Sequence, residues 1–247
     1  MAPSPVAVTT LPDAYAARLR SSPGDPLVTF YDLATGERVE LSATTWVNWA
    51  AKVAGLLTDE LDLERGSRLL LDVGTHWQAS VLLGGAWWAG IEVVPPGATV
   101  GDVDAVDAVA CAESDAETYA DAYAGSDVPV LALSLKPMSG PCGTLPAGVL
   151  DFGREVLPMP DAYVPLDPPT AEDVAWRDPA GAGPVLTHAD VLARPHDDRV
   201  LADDPPGSDR GIDVLGGALA GSGSVVLVRR HGQPVPANLV EQERVTR

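Results

Sequence analysis

At 247 residues and 46% hydrophobic content, the chain is long and apolar enough to bury a substantial core and lies outside disordered composition. Its 16 basic residues face 35 acidic ones, a net charge of −19, which makes nucleic acid and anionic membrane poor partners. No apolar run reaches the roughly 18 residues of a membrane span, MAPSPVAVTT has no signal-peptide pattern, and Cys111 and Cys142 are too few for a disulfide framework, so cytoplasmic residence is expected.

LPDAYAARLRSSPGDP, residues 11–26, predicts a short helix closed by a Pro/Gly turn. LVTFYDLATGERVEL, residues 27–41, predicts two strands around an ATGE turn. Ser42 offers a cap for an amphipathic helix over about 43–60, with Trp46, Trp49, Ala50, Val53, Leu56 and Leu57 on one face. RLLLDV (68–73) predicts a strand. Thr75 is the candidate cap of a second helix over about 76–89. Gly84 and Gly85 lie inside that helix and each costs about 1 kcal/mol relative to alanine, so a closely approaching neighbour is expected there.

IEVVP (91–95) completes a βαβ unit, which favours a parallel pairing. A second unit follows: a strand near 106–111, a helix near 115–124 and a strand near 128–133. Residues 134–172 are rich in proline and glycine, predict no long helix, and mark a candidate subdomain junction. SVVLVRR (224–230) is a strong strand. Its position late in the chain makes it the candidate sheet edge, with Arg229 and Arg230 as edge charges.

The stretch DPAGAGPVLTH, residues 178–188, has the outline of a phosphate-cradling loop. Gly181 and Gly183 are its flexible points, followed by Thr187 and His188. It is no Walker loop, and Leu186 stands where a third glycine would complete GxGxxG. His188 either starts and packs a helix or faces a ligand. The packing reading is preferred because no carboxylate or cysteine sits at a telling spacing. Trp87 and Trp88 line an acyl pocket or, preferably, pack the core. His196, Asp197 and Asp198 bind a metal or, preferably, form a solvated turn, and the acidic stretch from Asp102 to Asp127 lacks calcium-loop spacing.

ELSATTWVNWAAKVAGLL, DLERGSRLLLDVGTHWQASVLLGGAWWAGIEVVPPGAT, GPVLTHADVL and LGGALAGSGSVVLVRR, in that order, resemble successive segments of the AMP-binding acyl-adenylate-forming superfamily, which includes acyl-CoA synthetases. The whole pattern also resembles an uncharacterised family of short proteins from high-GC bacteria. The resemblance implies an α/β fold, a mostly parallel sheet with layered helices like the N-terminal region of those enzymes, in one truncated domain over 1–247.

It also implies a place for ATP or AMP at Gly181, Gly183, Thr187 and His188. Against the family loop, the run of Ser/Thr and the following lysine are gone, and Asp178 brings negative charge to where a triphosphate would lie. The family's adenine-binding and magnesium-binding motifs and its C-terminal catalytic lysine find no counterpart after Arg230, and DDPPGSDRG (203–211) replaces its aromatic wall. No catalytic residue is therefore assigned. The expectation is a non-catalytic or catalytically incomplete relative that binds a small ligand or a partner protein. Alternatives are an acyl-AMP ligase fragment completed by another chain, and a purely structural subunit. A homodimer or protein partner through residues 212–240 is expected.

Overall fold

Thr10 opens the first helix by a reciprocal cap: its hydroxyl accepts from the Asp13 amide, and the Asp13 carboxylate accepts from the Thr10 amide at 3.0 Å. This is helix α1 (Leu11–Ser21) of a computed structural model that describes residues 8–97, 100–102, 104–178 and 183–247. The hairpin strands follow as β1 (Pro26–Asp32) and β2 (Arg38–Ser42). Ser42 caps α2 (Ala43–Gly55), as its position predicts, and a π-helical turn carries the helix on to Glu60. The two βαβ units give β3 (Arg68–Asp72), α3 (Trp77–Trp88), β4 (Glu92–Val94), β5 (Ala108–Ala112), α4 (Ala116–Ala122) and β6 (Val130–Leu133).

After these come the short β7 (Leu150–Asp151) and α5 (Phe152–Val156), then β8 (Val174–Arg177), β9 (Val185–Thr187), α6 (His188–Leu192) and β10 (Arg199–Ala202). The chain closes with α7 (Asp209–Ala220), β11 (Ser224–Arg229) and α8 (Ala237–Gln242). The strands form a seven-stranded sheet in the order β7-β6-β5-β3-β4-β8-β9 and a four-stranded sheet in the order β10-β11-β1-β2. Only β8–β9 and β1–β2 pair antiparallel; the other neighbours run parallel, the arrangement expected of an α/β fold. One apolar core joins the sheets: Val28 and Phe30 of β1 belong with Leu69 and Leu71 of β3, through Trp46 of α2 and Trp87 of α3.

The helical glycines have the neighbour that their cost demands. A Cβ on Gly84 would come within 3.0 Å of the Trp46 ring, and one on Gly85 would meet the Val53 side chain and stand 2.8 Å from the Ala54 amide nitrogen. Bare glycine backbone therefore lets α3 lie against α2. The same device recurs where Gly216 and Gly217 of α7 face Val191 and Arg194.

Two expectations need correction. The cap of α3 is His76, whose Nδ1 accepts from the Gln78 amide at 3.2 Å; Thr75 instead donates its hydroxyl to the Asp203 carbonyl. SVVLVRR is not a sheet edge: β11 is flanked on both sides, by β10 and β1. Residues of the tail cover its outer face, with Leu239 of α8 packed on Val226 and Val228. The tail backbone also pairs along β10, through Thr246 N to Arg199 O at 2.9 Å and Leu201 N to Arg247 O at 3.0 Å. The physical ground for an exposed pairing edge within 212–240 is thereby removed. Among the described residues, no helix is long and apolar enough to cross a membrane.

Candidate functional site

The stretch 178–188 follows β8, and its described residues carry β9 and the start of α6. The Asp178 amide donates to the Pro184 carbonyl at 3.1 Å, next to the antiparallel pairing of Arg177 with Val185. Gly181 lies outside the described residues. Gly183 has Asp178 directly against it: a Cβ there would fall within 3.0 Å of the Asp178 side chain. Thr187 caps α6, its hydroxyl accepting from the Asp190 amide at 3.2 Å and the Asp190 carboxylate accepting in return.

His188 is fully buried, and its Nδ1 accepts from the Leu11 amide, the first residue of α1, at 3.2 Å. Burial pushes the His188 pKa down to about 4. Among the described residues its Nε2 has no hydrogen-bond partner. The structure thus places Thr187 and His188 in bonds that build α6 and dock α1.

The other sequence candidates are also held locally. Trp87 is buried and donates its indole N–H to the Ala175 carbonyl at 3.0 Å, while Trp88 sits edge-on to Tyr15 and Tyr163. His196 shares a hydrogen bond with the Val214 carbonyl at 3.0 Å, and Asp197 accepts from the amide and hydroxyl of Ser222. Among the described residues no three His, Cys, Asp or Glu side chains group as metal ligands.

A different place carries the larger opening. Asp32 ends β1, Arg229 ends β11 and Ala112 ends β5, and Ser134 follows β6; all four line one open cleft of about 900 Å³. The cleft therefore lies at the carboxyl ends of parallel strands from both sheets, where open α/β sheets characteristically hold ligands. Asp32 is its organising carboxylate. Its Oδ1 accepts from the Ala34 and Thr35 amides at 2.8 and 3.0 Å, and its Oδ2 meets His231 Nε2 at 3.0 Å. Burial pushes the Asp32 carboxyl up, but the His231 bond and the two amides outweigh it, so it is held below its ordinary value.

Glu37 lies nearby with the opposite bias: burial, and then the charge of Asp32, raise it. Its Oε1 is buried without a partner among the described residues. On the other wall, Lys136 donates to the Pro141 carbonyl at 3.0 Å and lies 3.6 Å from Glu113. The sequence offers no motif for this group, because Asp32 and His231 are 199 positions apart. The available signal is the pair of apolar strands, each with charged or polar groups at its carboxyl end.

Two buried rings give the fold a defined acid response. His76 packs against Phe30, with ring centres 4.5 Å apart, and burial followed by the charge of Arg229 pushes its pKa down to about 3. The unfolded imidazole titrates near 6.5, so below that pH the unfolded state binds protons that native His76 and His188 refuse. Their contribution to stability is present above about pH 6.5 and is lost as pH falls toward their folded values. Urea midpoints measured from pH 7.5 to 4.5 are expected to fall, with a flatter slope in His188→Gln. Equal slopes in the two proteins would contradict this assignment.

Comparisons with known proteins fit this architecture. No protein-family model matches the chain. It is 37% identical over 246 residues to a TIGR03089 family protein of Mycobacterium tuberculosis (strain ATCC 25618 / H37Rv), with 93% of each chain covered. Among solved structures it superposes on an acyl-CoA synthetase of Brucella canis with TM-score 0.77 and 15% identity, over 100% of this chain and 48% of that one. The N-terminal domain of FACL13 from Mycobacterium tuberculosis matches with TM-score 0.68 and 15% identity, over 96% of this chain and 62% of that domain. Apo MatB from Rhodopseudomonas palustris matches with TM-score 0.68 and 21% identity, over 96% of this chain and 48% of MatB. The chain thus has the fold of acyl-CoA synthetase N-terminal domains and spans about half the length of the full synthetases it matches.

Proposed function

The chain belongs to the TIGR03089 family, and from that premise we propose that it is a relative of acyl-CoA synthetases that binds a small ligand but does not adenylate an acid. The observation that carries this reading is the composition of the loop. Transfer of AMP to a carboxylate needs preorganised positive charge around the phosphates. Here the loop brings Asp178 against Gly183. The chain's two lysines serve elsewhere. Lys52, on α2, donates to the Leu157 and Met159 carbonyls and pairs with Asp161 at 2.9 Å. Lys136 lines the two-sheet cleft.

Ligand binding on this reading belongs to the cleft at the strand ends, and ATP or AMP at Gly181, Gly183, Thr187 and His188 is the weaker option. The two cysteines, buried as free thiols, support a reducing compartment and hence the cytoplasm.

The test is ATP–pyrophosphate exchange with a panel of carboxylic acids, using protein freed of contaminating ligases. No acid-dependent exchange is expected; robust exchange with any acid would sink the reading. Gly183→Lys is expected to leave exchange at background. Its new side chain must displace Asp178, and an added ammonium supplies phosphate affinity at most. Turnover by that variant would mean that the loop was one cation short of an active site.

A further inference from the structure

We propose that the cleft between the two sheets recognises a small polyhydroxylated anion, a sugar phosphate or a polyhydroxy carboxylate, with Arg229 as its anion receptor. This rests on reading the cleft as the ligand site. Three features of its lining carry the proposal.

The first is charge. The whole chain has 16 basic against 35 acidic residues, yet the cleft is lined by Arg38, Lys136 and Arg229 against Asp32, Glu37 and Glu113, three against three. The lining is thus less acidic than the chain as a whole, which favours an anionic ligand, and with Arg38 held by Glu40 and Glu243 the free cation in it among the described residues is Arg229.

The second is unused donor capacity. Asp32 already accepts from two amides and His231, and Arg229 comes only to 3.9 Å of it, too long for a hydrogen bond. Among the described residues the Arg229 guanidinium makes no hydrogen bond, and its side chain is 37% exposed at the end of β11. A planar fork with free donors matches a carboxylate or phosphate in bidentate fashion. Lys136 faces it from the other sheet's wall and offers a second point charge.

The third feature selects hydroxyl groups. Glu37 Oε1 is buried with no partner among the described residues. Glu37 itself lines the cleft, and a ligand hydroxyl beside the anionic group would donate to its carboxylate, whereas a lone anion would not. Thr35 and Ser114 border the same space with further hydroxyls.

The test is calorimetric titration of the intact chain with ribose 5-phosphate and with gluconate, using ribose and inorganic phosphate as controls. At least one of the two polyhydroxylated anions is expected to bind, more tightly than either control, and the stronger of the two identifies the source of the anion. Arg229→Ala is expected to weaken that binding tenfold or more, with Arg229→Lys intermediate. Unliganded melting temperatures check that both variants fold, as the exposed position predicts.

Equal affinity of wild type and Arg229→Ala, or binding of neither polyhydroxylated anion, overturns the proposal. The exchange assay reads the other claim separately. Acid-dependent exchange would remove the non-catalytic reading while leaving an Arg229-dependent anion site in place.

Discussion

Replacing Gly85 by alanine is expected to lower the melting temperature by about 4–8 °C, although alanine is the better helix former. On propensity alone the change favours α3 by about 1 kcal/mol. The tertiary contact opposes it. The new methyl would meet the Val53 side chain and stand 2.8 Å from the Ala54 amide nitrogen, a backbone atom of α2 that moves only with its helix. Overpacking costs about 1–3 kcal/mol when side chains alone adjust, and more when backbone must shift. A net loss of about 2 kcal/mol converts to the stated shift for a domain of this size.

Gly24→Ala is the control. No atom lies within 4 Å of a Cβ placed there, and its backbone is not left-handed, so the change is expected to be neutral or slightly stabilising. Differential scanning calorimetry of both variants decides the matter. A Gly85→Ala protein as stable as wild type would mean that α2 and α3 are not held at this spacing.

That contact also marks how far the sequence could be read. The helical period of Trp46, Ala50, Val53 and Leu57 and the caps beside it define α2 locally, and two adjacent glycines inside an apolar helix announce a close neighbour. Strands β3, β5 and β6 are legible for the same reason, since their residues carry the apolar signal themselves. What failed depended on distant partners. β11 looked like an edge because little sequence follows it, yet the few tail residues suffice: α8 lies on its outer face and Thr246 pairs with β10.

Helix α7 goes unread in the sequence, because Gly216 and Gly217 weaken its helical pattern. Those glycines are there for Val191 and Arg194, residues of a segment that carries no strong pattern of its own. The site followed the same logic. Thr187 and Asp190 are three apart and their cap is visible in the sequence, but His188 bonds to Leu11, 177 positions away. Nothing in the sequence ties Asp32 to His231. Strand order alone brings their ends together.

Removing the carboxylate of Glu243 is expected to loosen the tail and to change how the protein responds to acid. Glu243 follows α8 and is nearly buried, at 8% exposure. Its Oε1 accepts from the Tyr31 hydroxyl and from Arg38 Nε and Nη2 at 3.1 and 3.0 Å, and its Oε2 accepts from Arg199. One carboxylate thereby ties the tail to β1, β2 and β10. Breaking a fully buried pair costs about 3–5 kcal/mol. Arg38 is 43% exposed and regains water, so Glu243→Ala is expected to cost less, about 2–3 kcal/mol.

The pH dependence identifies the charge as the cause. Burial pushes the Glu243 carboxyl up, but hydrogen bonds from Tyr31, Arg199 and Arg38 outweigh it and hold the folded value below the ordinary one. A carboxyl depressed in the folded state stabilises above its unfolded pKa, about 4.3, and that stabilisation is lost as pH falls through the folded value. The stability gap between wild type and Glu243→Gln, which removes the charge but keeps the shape, is therefore expected to be full above pH 5 and to shrink steadily below pH 4. Hydrogen exchange of the Leu201 and Thr246 amides, whose acceptors lie across the tail–β10 seam, reports the local consequence: both are expected to lose protection in Glu243→Ala ahead of the core strands. A pH-independent gap would show that packing of Leu239, rather than the buried carboxylate, holds the tail in place.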